Sequence, residues 1–203
     1  MHKKYPFVIA ISGATGSIYG LNLVKFLLNE GYKVDLIISE IAGVVIKEEI
    51  GFELSENLQQ NLEIINQFLN NSANKSDLRL YDNNNLAASF SSGSYKTNGM
   101  AIVPCSMNTL AAVHAGIAGK LITRAADVTM KEGRSLILAP REMPFNTIHL
   151  RNMYELSQAG VKIVVPAPAF YNHPTSIDDM INYVTGKILD ALEVPNDIYR
   201  RWK

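Results

Sequence analysis

Cysteine is nearly missing from this chain. The single Cys105 among 203 residues excludes an intrachain disulfide framework and any metal site built from several thiolates. No His, Asp or Glu grouping has the spacing of a zinc or calcium site: His2 is terminal, and His114, His149 and His173 stand alone in sequence. Charge of one sign is lacking too. Nineteen Lys and Arg against nineteen Asp and Glu give a formal net charge of zero. That balance argues against a large nucleic-acid footprint, though not against a local basic pocket. No apolar run approaches the roughly 18 residues of a membrane span. The start, Met1-His2-Lys3-Lys4, leads straight into a strand with no apolar leader or cleavage signal. The expectation is a cytoplasmic protein with no membrane or nucleic-acid partner. The Asn-x-Ser triplets at Asn70 and Asn74 are then ordinary loop composition. Three signatures are also missing: G-x-G-x-x-G, G-K-[ST] and the G-x-S-x-G elbow of serine hydrolases.

What is present begins with an apolar run, Phe7-Val8-Ile9-Ala10-Ile11, that breaks at Ser12-Gly13-Ala14-Thr15-Gly16-Ser17. A segment of helical periodicity then starts at Ile18 and carries Tyr19, Leu21, Leu23, Val24, Leu27 and Leu28. Strand, Gly-rich turn and helix in that order build an anion site, with hydroxyls at Ser12, Thr15 and Ser17 beside amide donors of a helix start. The same alternation repeats along the chain. Strands are expected at 33–38, 78–81, 99–104, 135–139 and 161–165. Helices are expected at 41–50, 54–69, 110–118, 121–132 and 146–159, with a last one capped by Ser176. A turn-rich stretch, 82–98, is long enough to serve as a lid or binding wall. Continuously apolar strands alternating with helices imply a parallel sheet covered on both faces. One domain over residues 1–203 is expected, with a surface insertion around 66–77 and a tail at 195–203.

Ligands of such sheets bind outside the carboxyl ends of the strands. The residues at those exits here are Ser12 to Ser17, Ser39, Cys105 to Thr109, Arg141-Glu142 and Tyr171. Arg141, Arg124, Lys131 and Lys187 could surround an anion. Arg124 and Lys131 are seven residues apart and so share a helix face, and Asp127 is placed to pair with Arg124. Glu142, between Pro140 and Pro144, is a candidate general acid or base. Glu49 is ambiguous, because carboxylates near a helix end are mostly solvated. Cys105 has no neighbouring histidine to activate it and reads as a small residue that lets the backbone approach a planar ligand.

Together these blocks resemble the UbiX-type flavin prenyltransferases. The resemblance runs from Ile9 to Trp202. It rests on Ser12-Gly13-Ala14-Thr15-Gly16, Ser91-Ser92-Gly93-Ser94, Pro104-Cys105-Ser106 with Thr109-Leu110, Arg124-Ala125-Ala126-Asp127-Val128 through Lys131-Glu132, Pro140-Arg141-Glu142-Met143-Pro144, Pro168-Ala169-Phe170-Tyr171 and Arg201-Trp202. It implies a three-layer α/β fold, Rossmann-like or flavodoxin-like. The implied activity is metal-independent transfer of a dimethylallyl group from dimethylallyl monophosphate to N5 and C6 of reduced FMN. The product would serve a UbiD-type decarboxylase. The resemblance also implies a homo-oligomer, a dodecamer, with sites at subunit interfaces.

Carried over to this chain, the resemblance implies FMN contacts from Gly13, Ala14, Thr15, Ser39, Ser106, Met107, Asn108, Thr109, Arg124 and Arg141. Lys131, Arg141, Tyr171 and Lys187 would grip the prenyl phosphate. Glu142 and Glu49 would manage protons, with Lys131 and Tyr171 also catalytic. Leu86, Phe90 and Trp202 would line the prenyl pocket. Three positions depart from the family pattern: Thr15 stands where serine is usual, Lys187 where many members carry arginine, and Leu86 where some carry tryptophan. The competing readings are an FMN-dependent oxidative cysteine decarboxylase and a non-catalytic FMN carrier. The first lacks its early-helix histidine and substrate-clamp segment here.

Overall fold

Most helices of this protein start at a residue whose side chain can stand in for the missing helical bond. In the computed structural model, which describes residues 3–70 and 77–202, Ser39, Asn57, Ser106, Asn146 and Ser176 each accept a hydrogen bond from an amide of the first turn they precede. Each such cap is worth ~1 kcal/mol. The elements in chain order are β1 (Phe7–Ile11), α1 (Ser17–Asn29), β2 (Val34–Ile38), α2 (Glu40–Ile50), α3 (Leu58–Phe68), β3 (Leu78–Asp82), β4 (Gly99–Cys105), α4 (Met107–His114), α5 (Leu121–Lys131), β5 (Leu136–Pro140), α6 (Thr147–Gln158), β6 (Lys162–Ile163) and α7 (Ile177–Ala191). None of the described helices is long and apolar enough to cross a membrane.

The six strands are all parallel and lie in the order β3-β2-β1-β4-β5-β6. Two apolar layers close the sheet. One packs α1, α2, α3 and α7 through residues such as Leu23, Ile46, Ile65 and Ile188. The other packs α4, α5 and α6 through Leu110, Ala125, Ala126 and Leu156. Helix α1 lies so close to β4 that a Cβ on Gly20 would sit 2.2 Å from the Val103 carbonyl oxygen. Only glycine fits there.

Several boundaries differ from expectation for local reasons. The second-layer helix starts at Met107 rather than Leu110, because the Ser106 hydroxyl accepts from Thr109 N (3.2 Å) and opens the helix early. The helix expected from Leu54 starts at Leu58. Before it, Asn61 reaches back to both backbone groups of Ser55 (2.8 and 2.7 Å) and holds a bend. The last strand shrinks to two residues at the sheet edge, with one neighbour and Pro166 close behind. The expected insertion at 66–77 is only partly surface: α3 continues to Phe68, and Asn66 and Leu69 are buried. Residues 71–76 lie outside the described part. The tail from 195 folds back onto α7, where Arg201 donates to both Asp190 oxygens (2.8 and 3.0 Å).

One connection is unusual. Between β3 and β4 the chain crosses to the second layer with no α-helix, using residues 83–98 and one short 3-10 turn at Ser89–Ser91. The face over β2 and β3 is therefore covered by a turn-rich segment. Phe90 pins it there, fully buried with its ring 4.9 Å from Tyr81.

Candidate functional site

The strand order reverses between β1 and β4, which opens a crevice at their carboxyl ends. Ser12 stitches the two exits together. Its hydroxyl donates to the Pro104 carbonyl (3.0 Å) and accepts from Ser106 N (2.8 Å). On either side, Ser39 N donates to Ile11 O (3.0 Å) and Arg141 N to Cys105 O (3.1 Å). The ends of β1, β2, β4 and β5 are thus locked side by side. Two capped helix starts, Ser39 of α2 and Ser106 of α4, flank this line. Their free first-turn amides make the rim attractive to anions.

The Gly-rich turn after β1 holds an anion, but not an external one. Glu49, from the last turn of α2, fills it. Its carboxylate accepts from Gly16 N (2.9 and 3.1 Å), Ser17 N (3.0 Å), the Ser17 hydroxyl (2.6 Å) and the Thr15 hydroxyl. Partial burial raises the Glu49 pKa, but the bonds from Ser17, Thr15 and the Gly16 and Ser17 amides outweigh it and hold the group below the ordinary value. The turn expected to take a phosphate is occupied by this chain's own carboxylate. Helix α1, whose start at Gly16 has φ 96° and no side-chain cap, is capped from a distance by Glu49. One turn further on stands Tyr19, which the sequence placed only in an apolar stripe. Burial pushes its phenol up; the Arg141 charge opposes this and the Glu49 charge adds to it. Tyr19 thus feels the charges of both Arg141 and Glu49.

At the β5 exit Arg141 and Glu142 are both exposed. The Arg141 guanidinium makes no hydrogen bond or ion pair with a described residue. Glu142 accepts only from Met143 N (3.1 Å), and Met143 beside it is 85 % exposed. An unpaired guanidinium and a free carboxylate next to two helix starts form a set that can bind an anion and exchange a proton.

Arg124 and Lys131 do share a face, and it lies against the 83–98 segment. Arg124 Nε donates to Ser91 O (3.2 Å), while Nη1 pairs with Asp127 (2.8 Å). Lys131 pairs with Glu132 and packs so closely on Gly93 that a Cβ there would lie 2.7 Å from its Nζ. Leu86 is 47 % exposed at the start of this segment. Phe90, expected as a wall residue, has only 1 % of its surface exposed and acts from behind.

A third group gathers at the carboxyl end of the chain. The Tyr171 ring meets Trp202 (5.1 Å) and Tyr183 (6.1 Å) edge to face. Lys187 approaches Asp190 at 3.9 Å, and Arg201 stacks over Tyr199 at 4.8 Å. Although burial works against it, the bonds from Arg201, Tyr199 and Asn196, with the Arg201 charge, bring Asp190 down to about 2. Within one chain, no hydrogen bond, ion pair or ring contact among described residues joins the named residues of these three groups.

A family model described as "Flavoprotein" matches residues 1–189. A flavin prenyltransferase UbiX of Alkalihalophilus pseudofirmus is 40 % identical over 194 residues, covering 96 % of this chain and 94 % of that protein. Among solved structures, AnUbiX (PadA1) in complex with FMN and dimethylallyl pyrophosphate superposes with a TM-score of 0.86 at 37 % identity, covering 98 % of this chain and 97 % of the other. A dodecameric FMN-dependent UbiX-like decarboxylase from Escherichia coli O157:H7 gives a TM-score of 0.85 at 38 % identity, covering 98 % and 99 %.

Proposed function

The chain belongs to the UbiX-type flavin prenyltransferases, and from that we propose that it transfers a dimethylallyl group from dimethylallyl monophosphate to FMN without a metal. Reduced FMN, when bound, supplies the electron-rich N5 and C6 atoms that take the prenyl group. The residues at the crevice fit such a group. Met107 and Asn108 offer amides at the α4 start, and Ser39, Ser106 and Thr109 offer hydroxyls, to a phosphate-bearing flavin, while Gly13 and Ala14 present little side chain against it, with Thr15 and Arg124 at the edges. The observation that carries the reading is Arg141: an unpaired guanidinium at the β5 exit, whose backbone amide is bonded to Cys105 O beside the α4 start. It is suited to grip phosphate bidentately.

The remaining roles follow from charge and reach. Lys131, Tyr171 and Lys187 add fixed donors for a departing phosphate, which needs them because no metal neutralises its charge. Lys187, where an arginine is common in the family, gives a point contact in place of a fork. Glu142 stands at the same strand exit as Arg141, where it can take up a proton and pass it to the leaving oxygen. Glu49 is anionic near neutrality, and taking a proton would cost it the bonds that cap α1. Leu86 and Trp202 supply apolar surface for the prenyl group, with Phe90 supporting the Leu86 segment.

The three separated groups of side chains fit a site completed between subunits. So do the exposed Ile41, Val44, Met143, Ile148, Phe170 and Ile177, which are too many for a bare surface. We propose a homo-oligomer, a dodecamer, working in the cytoplasm and handing its product to a UbiD-type decarboxylase.

The test is anaerobic incubation with reduced FMN and dimethylallyl monophosphate, followed by mass analysis of the released flavin. The expected product is heavier by one C5H8 unit. The Glu142→Gln variant should bind FMN as before and react about 100-fold or more slowly, in line with general acid catalysis. Unchanged turnover in that variant refutes the proton role, and unmodified FMN with the native chain refutes the transferase.

A further inference from the structure

Asp35 is a carboxylate that none of the chemistry above uses. It stands in β2 with no exposed surface, between Val34 and Leu36. An ionised carboxylate is expensive to bury unless it is paired, so a residue of this kind inside an apolar strand calls for a reason. Its partner is Arg79 on the neighbouring strand, directly across in register. Arg79 Nε donates to Asp35 Oδ1 at 2.7 Å, and its Nη2 donates to the Tyr95 hydroxyl at 2.7 Å. The second carboxylate oxygen is buried without a hydrogen bond of normal geometry. Burial first, and the Asp35 charge second, push the nearby Tyr81 phenol up to about 12.

Tyr95 belongs to the segment that replaces a crossover helix. The turns of this segment hold themselves locally, through bonds such as Ser91 N to Ala88 O (2.9 Å) and Tyr95 N to Ser92 O (3.2 Å), but their place over the sheet depends on what the segment is tied to. Asn83 ties the near end to the start of α5, through Leu121 N (2.7 Å) and Ile122 N (3.2 Å). Arg124 holds Ser91 O, and Arg134 holds Gly93 O (2.7 Å) and Tyr95 O (2.8 Å). All these ties run to α5 or to the residues just after it. Asn83 and Asn84 also reach Glu40 of α2, and Asn98 ties the far end to Pro6 O (2.8 Å) and Tyr5 O (2.7 Å) just before β1. The bond from Arg79 to Tyr95 ties the stretch between these ends to β3, in the floor of the sheet. Asp35 fixes the guanidinium by one edge and so aims the other edge at the segment.

We propose that Asp35, Arg79 and Tyr95 form a positioning relay that sets the depth of the donor pocket, holding the segment with Leu86 and the Ser91–Ser94 turn at the distance that suits a five-carbon prenyl chain. The relay rests on the prenyl-transfer reading for its donor. Its mechanical part, the anchoring of residues 83–98, does not. The three residues touch neither substrate; they act through the wall.

Tyr95→Phe is the cleanest test, because it removes the hydroxyl and leaves the buried Asp35–Arg79 pair in place. Asp35→Asn is the second variant, loosening the guanidinium at its root. For each, three quantities are read on the full-length assembly: amide exchange over 83–98, FMN affinity, and steady-state kinetics with dimethylallyl and geranyl monophosphate. The expected result is faster exchange over 83–98 and FMN affinity within about twofold of native. KM for the five-carbon donor should rise about five- to tenfold, the scale of one ordinary net hydrogen bond at a partly exposed place. Preference for five over ten carbons should fall by a similar factor while kcat changes less. If Asp35→Asn does not fold, Tyr95→Phe alone decides. Native transfer with unchanged exchange and an unchanged donor ratio in the variants overturns the relay alone. FMN affinity falling in step with donor affinity also overturns it, because that is the mark of general loosening. No prenyl transfer by the native chain overturns the transferase reading, and the donor role of the relay with it; the exchange data then still decide the anchoring.

Discussion

Glu49→Gln separates an electrostatic cap from a spectator carboxylate. Glutamine keeps the shape and one acceptor oxygen. It turns the other oxygen into an amide donor facing Ser17 N and the Ser17 hydroxyl, which are 3.0 and 2.6 Å from Glu49 Oε2. Bonds to a charged group contribute about 1.5–3 kcal/mol when buried, but Glu49 is an exposed residue and water recovers much of that. The charge at a helix start adds about 0.3–1 kcal/mol. A net loss of about 1–2 kcal/mol follows, or roughly 2–8 °C in Tm for a chain of this size. The pH dependence has a definite sign. The folded pKa is lowered, so the stabilisation is present above the unfolded value, about 4.3, and is lost as pH falls through the folded one. Thermal melts of native protein and variant, at one protein concentration and ionic strength, should differ at pH 7 and converge below about pH 4. Equal Tm values at pH 7 would refute the capping role. A gap that persists unchanged into acid would refute its electrostatic origin.

Two further substitutions test the geometry of the crevice. Ser12→Ala leaves the Ser106 amide without its acceptor in a buried place; a loss of about 1–3 kcal/mol is expected, read as a lower urea midpoint with an unchanged slope. Gly20→Ala drives a methyl to 2.2 Å from a backbone oxygen of β4 and should cost about 3 kcal/mol or more, read as collapse of the yield of folded protein. A normal melting temperature in that variant would show that α1 can move off the sheet.

How much of this was legible in the sequence follows the range of each interaction. Continuous apolar strands such as Ile9 to Ile11 and Leu136 to Ala139, and the cap at Ser176, are local signals, and they announced the sheet and its helices. The Arg124–Asp127 pair, three residues apart, was readable for the same reason. Glu49 was not: its partners at Thr15 to Ser17 lie more than thirty positions away, and only the fold brings the end of α2 over the start of α1. Tyr19 hid inside an apolar stripe because its ring satisfies the periodicity while its hydroxyl feels the charges of Arg141 and Glu49. Asp35 passed as one letter of a strand, and its partner Arg79 became visible only with the β2–β3 register. Arg141, Glu142 and Lys187 were candidates from position and charge alone; the resemblance to known flavin enzymes named the flavin and prenyl phosphate that they would serve.

The missing helix between β3 and β4 divides the architecture by how readily it can change. The crevice at β1 and β4 is assembled from helix starts and strand ends, so any alteration there disturbs the core as well. The 83–98 segment carries no such debt. Its length and side chains can vary while the six strands and their helices stay where they are, provided its few anchors persist. A chain built this way can keep its β1–β4 crevice fixed while the sixteen consecutive positions 83–98 change.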